Sequence, residues 1–272
     1  MKTLDGNTEV YGIMGWPVGH SLSPAIHNRA FRELELNKVY VPFPVEDVET
    51  ALNGFRAINV RGVSVTIPHK QAVIPFLDTI DPVAARIGAV NTLIIKNGRI
   101  HGTNTDWQGA NQALAEAIDL AGAKVVLLGA GGSARALAFG LLEAGAEIVL
   151  ASRTPARGLA LASDLNCEWL PLSEGRKMTG DVLVNATSVG MTPDVDSMAV
   201  PATILSGFRV VMDIVYSPLE TKLLREAAEA GCRVVNGLAM LLYQGTAQFE
   251  LWTGCKSPIE VMRQELDCRL KR

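Results

Sequence analysis

Short apolar runs alternate with amphipathic stretches along the first hundred residues: 10–14, 39–45 and 62–67 read as strands, 24–34 and 46–57 as helices. Residues 93–95 and 99–102 flank Asn97-Gly98, a pair suited to a tight hairpin because both turn positions need positive φ. From Asp106 the pattern changes. Apolar runs at 124–128, 147–151, 181–185, 209–214 and 233–235 are each reached through a helix or a long crossover, which is what a doubly wound parallel sheet requires. The change falls between Asn104 and Gly109 and predicts two α/β domains. The last segment opens with Ser257-Pro258-Ile259-Glu260, read as a capping box with proline at the first helical position. Ile259, Met262 and Leu266 then form one apolar stripe, so this helix is expected to return and pack on the N-terminal domain.

The run 124–128 leads into Gly129-Ala130-Gly131-Gly132-Ser133-Ala134 and then into an alanine- and leucine-rich helix. A strand, a glycine turn and a helix in that order read as a dinucleotide site, the alternative being an ordinary strand-to-helix turn. The first glycine permits the tight turn, the second lets backbone approach a pyrophosphate, and small Ala134 allows helix to pack on strand. The phosphates would lie at the helix N-terminus, where N–H groups are unpaired and the dipole is positive. About 20 residues on, where an NAD site offers an acid to the ribose, the chain has no acid. Ser152-Arg153-Thr154-Pro155-Ala156-Arg157 instead sets hydroxyls and two cations where a 2′-phosphate would sit, so NADP is the expected cofactor.

Composition narrows the partners. A chain of 272 residues with 48% hydrophobic residues, 25 glycines and 19% charged residues describes a compact α/β protein. Its net charge of −3 and the lack of any basic run argue against a nucleic-acid partner, so an anionic ligand must be held by local groups. No apolar stretch reaches 18 residues and the first ten lack a signal-peptide core, so no membrane partner is expected. Cys167, Cys232, Cys255 and Cys268 are scattered, which suggests reduced thiols in a cytoplasmic protein. His20, His27, His69 and His101 show no metal spacing, and no metal is expected.

Other polar groups stand at loop positions. Ser21 and Ser23, one residue apart before Pro24, read either as two donors to a carboxylate or, for Ser23, as a helix N-cap. Lys70 follows the strand 62–67 through Pro68 at the start of a helix, where a cation is mildly unfavourable. Asn91 and Asp106 lie in loops near the domain seam, and Asp106 reads equally as a cap for the helix beginning at Trp107. Segments 185–191, 213–221 and 237–244 follow candidate strands, at the edge where open sheets bind ligands.

Eight segments occur in one order: HSLSP at 20–24, VTIPHK at 65–70, GAVNT at 88–92, NTD at 104–106, GAGGSARA at 129–136, NATSVGM at 185–191, DIVYSP at 213–218 and GLAMLLYQ at 237–244. On these the chain resembles the shikimate dehydrogenases. The resemblance implies an N-terminal α/β substrate domain, residues 1–104 with the C-terminal helices 241–272, and a Rossmann-type NADP domain, 105–240. It implies NADPH-dependent, reversible reduction of 3-dehydroshikimate to shikimate, in the route to aromatic amino acids. Lys70 and Asp106 would be the catalytic pair. Ser21 and Ser23 would hold the substrate carboxylate, with Thr66, Asn91, Tyr216 and Gln244 completing the pocket. Residues 129–134, Ser152, Arg153, Thr154, Arg157, Ile214 and Gly237 would meet the cofactor. The chain departs from the family pattern at Ser152, where asparagine is usual, and at Ser133, often alanine. The expected partner is the small-molecule substrate alone, bound by a monomer or homodimer. The neighbouring readings are a quinate-accepting dehydrogenase of the same family, a nucleotide-binding regulatory module without turnover and a methyltransferase, which would want the acid that is missing after the second strand.

Overall fold

The fold was analysed in a computed structural model, which describes residues 4–270. In chain order the elements are β1 (Glu9–Gly15), α1 (Ser23–Glu33), β2 (Lys38–Pro44), α2 (Val48–Ala57), β3 (Gly62–Val65), β4 (Thr79–Ile80), α3 (Pro82–Ile87), β5 (Thr92–Lys96), β6 (Arg99–Thr103) and α4 (Asp106–Ala115). There follow β7 (Lys124–Leu128), α5 (Gly132–Glu143), β8 (Glu147–Ser152), α6 (Pro155–Leu165), β9 (Glu168–Pro171), β10 (Val182–Asn185), β11 (Val210–Asp213), α7 (Lys222–Glu229), β12 (Arg233–Val235), α8 (Gly237–Thr253) and α9 (Ile259–Leu270). Two compact units result: the chain up to Thr105 together with Gln244 onward, and Asp106–Tyr243.

The first unit is a mixed six-stranded sheet in the order β2-β1-β3-β5-β6-β4. Its β5–β6 hairpin turns at Asn97 and Gly98 with φ of 53° and 72°, the positive values that the sequence pair favours. Met14, Val63, Val65, Leu93 and Ile100 pack against Leu52 and Phe55 of α2 in one buried cluster. A second, aromatic cluster joins Tyr11, His27, Phe31, Tyr40, Phe249 and Trp252. Helix α9 returns to this unit and packs on α1, with Met262 and Leu266 buried.

The second unit is an all-parallel six-stranded sheet in the order β12-β11-β10-β7-β8-β9. The chain starts in the middle at β7, runs outward to β9, then crosses back to β10 and runs outward the other way. That reversal is the Rossmann arrangement, with its crevice at the carboxyl ends of β7 and β10. Strands β4 and β9 were not apparent in the sequence. The first has two residues, and the second, Glu168–Pro171, ends in proline at a sheet edge, where proline is tolerated. Among the described residues no helix is long and apolar enough to cross a membrane.

Two expected caps are replaced by tertiary or neighbouring partners. Ser23 is the first residue of α1 rather than its N-cap; Leu22 takes that position, and Ser21 Oγ accepts from Ser23 N at 3.2 Å. At the start of α9, Ser257 N and Oγ both donate to Glu250 Oε1, at 2.9 and 2.8 Å, so Glu250 of α8 takes the role expected of Glu260.

His27 lies at the centre of the aromatic cluster, fully buried and stacked on Tyr40 with ring centroids 4.5 Å apart. Neither ring nitrogen has a hydrogen-bond partner, and burial pushes the imidazole down to about 3, opposed in small part by the Gln248 side chain. A folded-state value below the unfolded 6.5 stabilises the fold fully above pH 6.5, and the contribution is lost as pH falls toward 3. His27→Leu is therefore expected to flatten the loss of stability between pH 6.5 and 4, measured as urea-unfolding free energy. A variant with the same acid slope as the parent would show that His27 does not carry it.

Candidate active site

In the first unit, three loops are joined by backbone hydrogen bonds. The loop after β1, which carries Ser21 and Ser23, is joined to the turn after β3 through Trp16 N to Ile67 O at 3.1 Å. That turn carries Thr66 and Lys70. It is closed by His69 N to Thr66 O at 2.9 Å and fixed by the buried His69 ring, whose Nε2 meets Val45 O at 2.7 Å. Because a carbonyl only accepts, Nε2 holds the proton. Val90 N donates to Lys70 O at 2.8 Å, which sets Lys70 beside the segment that carries Asn91.

Asn91 is 2% exposed, and both ends of its amide are hydrogen-bonded. Its Oδ1 accepts from Thr105 N at 2.8 Å and Thr92 Oγ1 at 2.7 Å. Its Nδ2 donates to Thr105 Oγ1 at 3.0 Å and Gln244 Oε1 at 3.3 Å. Thr105 Oγ1 in turn donates to Gln244 O at 3.1 Å. One amide thus gathers residues 91, 105 and 244. Ser21, Thr66 and Lys70 are half-buried, while Ser23 and Gln244 are buried.

The second unit begins at Asp106, buried as the first residue of α4. The glycine turn takes the form its spacing implies. Gly129 has φ +118°, and a Cβ there would stand 3.0 Å from Ala186 O, so only glycine fits. Helix α5 starts at Gly132 with Gly131 as N-cap, a residue that makes no side-chain cap bond. No atom lies within 4 Å of where a Gly131 Cβ would be, so the backbone is open to close approach. Ala130, Gly132 and Ser133 are half-buried around it, and Ala134 is fully buried. An anionic phosphate fits this end of the helix.

Arg153, Thr154 and Arg157 are all exposed at the start of α6. Thr154 is the N-cap residue but makes no side-chain cap bond. Ser152 is turned the other way: it is 4% exposed, its Oγ accepts from Trp169 Nε1 at 3.0 Å and donates to Thr154 O at 3.3 Å. Of the four residues expected at a 2′-phosphate, three face outward and Ser152 braces the loop from within. Ile214 and Gly237 lie together: a Cβ on Gly237 would run into Ile214 O, so this approach also needs glycine. Tyr216 is half-buried on the loop after β11. Among the described residues no three His, Cys, Asp or Glu side chains cluster as metal ligands.

Comparison with known proteins reads the same chain as a whole. Residues 13–93 match the family described as "Shikimate dehydrogenase substrate binding domain", residues 110–212 "Shikimate / quinate 5-dehydrogenase", and residues 237–266 "Shikimate 5'-dehydrogenase C-terminal domain". The shikimate dehydrogenase (NADP(+)) of Methanothermobacter thermautotrophicus is 46% identical over 281 residues, covering 99% of each chain. The chain belongs to the shikimate dehydrogenase family. A crystal structure of a shikimate dehydrogenase in complex with NADP+ superimposes with a TM-score of 0.91 at 40% identity, covering 99% of this chain and 98% of that one. The Thermus thermophilus enzyme in complex with NADP(H) and shikimate gives 0.87 at 41% identity, covering 96% and 99%.

The sequence marks segments 185–191 and 213–221 as a ligand-binding edge, but not the buried cluster that joins them at the carboxyl ends of β10 and β11. Asp213 is completely buried. Its Oδ1 accepts from Asn185 Nδ2 and Val215 N, each at 3.0 Å, and its Oδ2 from Thr221 Oγ1 at 2.7 Å. Asn185 Oδ1 takes Thr187 N and Oγ1, at 3.1 and 2.6 Å. Asp213 thereby shapes both loops that follow these strands, including Ile214. For the burial of Asp213 the sequence offers one signal, a carboxylate ending an otherwise apolar strand.

Burial pushes the Asp213 carboxyl up to about 6, against the three hydrogen bonds that favour its charge. A folded-state value raised above the unfolded 3.8 stabilises the fold below pH 4, and that contribution is lost as pH rises through about 6. The shift corresponds to about 3 kcal/mol. Asp213→Asn is expected to remove this pH dependence from the stability of the second unit between pH 4 and 6, read by denaturant unfolding. An unaltered slope would place the titration elsewhere.

Proposed function

We propose that this enzyme catalyses the NADPH-dependent, reversible reduction of the ring ketone of 3-dehydroshikimate to shikimate. The observation that carries the reading is full-length similarity to NADP-dependent shikimate dehydrogenases, joined to a donor set suited to each ligand. The region 1–104 with 241–272 serves as the substrate-binding and catalytic domain, and 105–240 as the NADP-binding domain. When bound, NADPH supplies the hydride. The N-terminal N–H groups of α5 face its pyrophosphate, and Arg153, Thr154 and Arg157 its 2′-phosphate. One charge-assisted hydrogen bond contributes about 1.5–3 kcal/mol, enough to favour NADP over NAD by about tenfold or more.

Ser21 and Ser23 hydroxyls hold the substrate carboxylate, and Thr66, Asn91, Tyr216 and Gln244 address the ring hydroxyls. The carbonyl oxygen gains negative charge as its carbon is reduced, and the Lys70 ammonium donates a proton to it. Asp106 holds the ammonium in place and favours its charged form. In the oxidising direction neutral Lys70 accepts the hydroxyl proton. The unpaired thiols of Cys167, Cys232, Cys255 and Cys268 support a cytoplasmic setting, and the working form is a monomer or homodimer.

The test is the initial rate of cofactor reduction with shikimate or quinate crossed against NADP or NAD. A high rate with shikimate and NADP alone is expected; comparable rates with quinate or NAD would move the enzyme to a dual-specificity class. Lys70→Ala is expected to lower kcat by about two to four orders of magnitude while the KM for NADP holds. Near-normal turnover of that variant would end the acid/base assignment.

A further inference from the structure

We propose that Gln248 is a positioning residue that, together with the Thr105 N–H, holds the hydrogen-bond direction of the substrate-pocket amides, Asn91 and Gln244, and so helps fix which end of the Gln244 amide faces the ligand. The inference rests on the reading above that Asn91 and Gln244 contact substrate. Gln248 lies on α8 one turn beyond Gln244, hence on the same helix face, and is fully buried.

Every group in the chain of bonds has its direction forced. Asn91 O is a carbonyl and only accepts, so the end of the Gln248 side chain 3.0 Å from it must be Nε2. Oε1 then faces Ser64 Oγ, which donates to it at 2.7 Å while accepting from Tyr40 Oη at 2.6 Å. Gln248 Nε2 also donates to Thr92 Oγ1 at 2.8 Å. Because Nε2 cannot accept, the Thr92 hydroxyl proton is left for Asn91 Oδ1 at 2.7 Å. Asn91 Oδ1 thus has two donors: Thr105 N, which cannot reverse, and the Thr92 hydroxyl, whose direction Gln248 sets. Asn91 Nδ2 consequently points at Gln244 Oε1, and Gln244 turns its NH2 end away from Asn91 as a donor. A buried network of this kind stabilises one arrangement only while each member is satisfied.

Gln248→Glu tests direction apart from packing. A carboxylate only accepts, so Thr92 would turn its hydroxyl toward it and abandon Asn91 Oδ1; the protonated acid regains a donor and restores the relay. Burial raises a carboxyl's pKa, which brings the change into an accessible pH range. The titratable groups packed around this position are His27 of α1 and Tyr40 of β2. The shikimate KM of Gln248→Glu is expected to rise by about tenfold between pH 6 and 8 relative to the parent, the worth of about one hydrogen bond, while the NADP KM is unchanged. Thr92→Val keeps the side-chain shape, removes the last hydroxyl of the relay, and is expected to raise the shikimate KM by about tenfold at every pH. It serves equally if the Glu variant does not fold. A shikimate KM within about twofold of the parent in either folded variant, or a parallel shift in the NADP KM, overturns the proposal. Asn91→Ala, run alongside, separates the two readings. If it raises the shikimate KM while the other variants do not, the relay alone fails; if it leaves KM unchanged, the pocket assignment fails and takes the relay with it.

Discussion

The buried amide of Asn91 is the constraint on which the first unit is built. An unsatisfied buried donor or acceptor costs about 1–3 kcal/mol, and both ends of the Asn91 amide are bonded, to Thr92, Thr105 and Gln244. Those partners come from the start of β5, the residue two past the end of β6 and the middle of α8. Local propensity cannot bring together residues separated by as many as 153 positions; only completed packing of the sheet beneath α8 can. The same amide is one residue from Val90, whose N–H holds the Lys70 carbonyl. Loop position at the proposed acid/base lysine is therefore set by a polar interior, not by the loop itself.

The second unit meets the same problem with a charge. Asp213 ends β11 as Asn185 ends the neighbouring β10, and the two side chains bond directly. Three donors converge on the carboxylate, yet burial still raises its pKa, so desolvation outweighs the hydrogen bonds. A neutral asparagine in the first unit and a desolvated carboxylate in the second perform the same mechanical task of tying strand ends to the loops beyond them. The difference has a physical consequence. Stability of the first unit is exposed to acid through His27, whereas protonation of Asp213 relieves the second.

Much of this architecture was legible in the sequence, because hydrophobic period and glycine placement are local signals. The parallel strands, the Asn97-Gly98 hairpin and the glycine turn at 129–134 all follow from residues within ten positions of one another. What escaped depended on distant partners. Ser257 has the spacing of a capping box, but Glu250 from the preceding helix reaches it first. Ser152 reads as a phosphate ligand, but Trp169, on a strand too short and too proline-bound to be recognised, turns the hydroxyl inward. Thr105, Gln248 and Asp213 gave no periodic signal at all: each is a single polar residue in an apolar or loop setting, and its meaning lies in what the fold sets beside it.

These interior bonds also explain how a chain of net charge −3 can be organised to take two anionic ligands without a general positive field. On the proposed reading, the substrate carboxylate is met by neutral hydroxyls, Ser21 and Ser23, on a loop anchored to a buried sheet. Such donors cost little to hold in place and are insensitive to salt. On the same reading the 2′-phosphate would be met by Arg153 and Arg157 on the exposed first turn of α6, where screening over about 8–10 Å weakens any charge pair. Fixed geometry offsets that weakness: Ser152 bridges Trp169 to the Thr154 carbonyl, so the loop that presents Arg153 is braced before any ligand arrives. On that reading, selectivity between cofactors would rest on exposed charge made specific by a buried hydroxyl, and recognition of the substrate on neutral groups made specific by a buried amide.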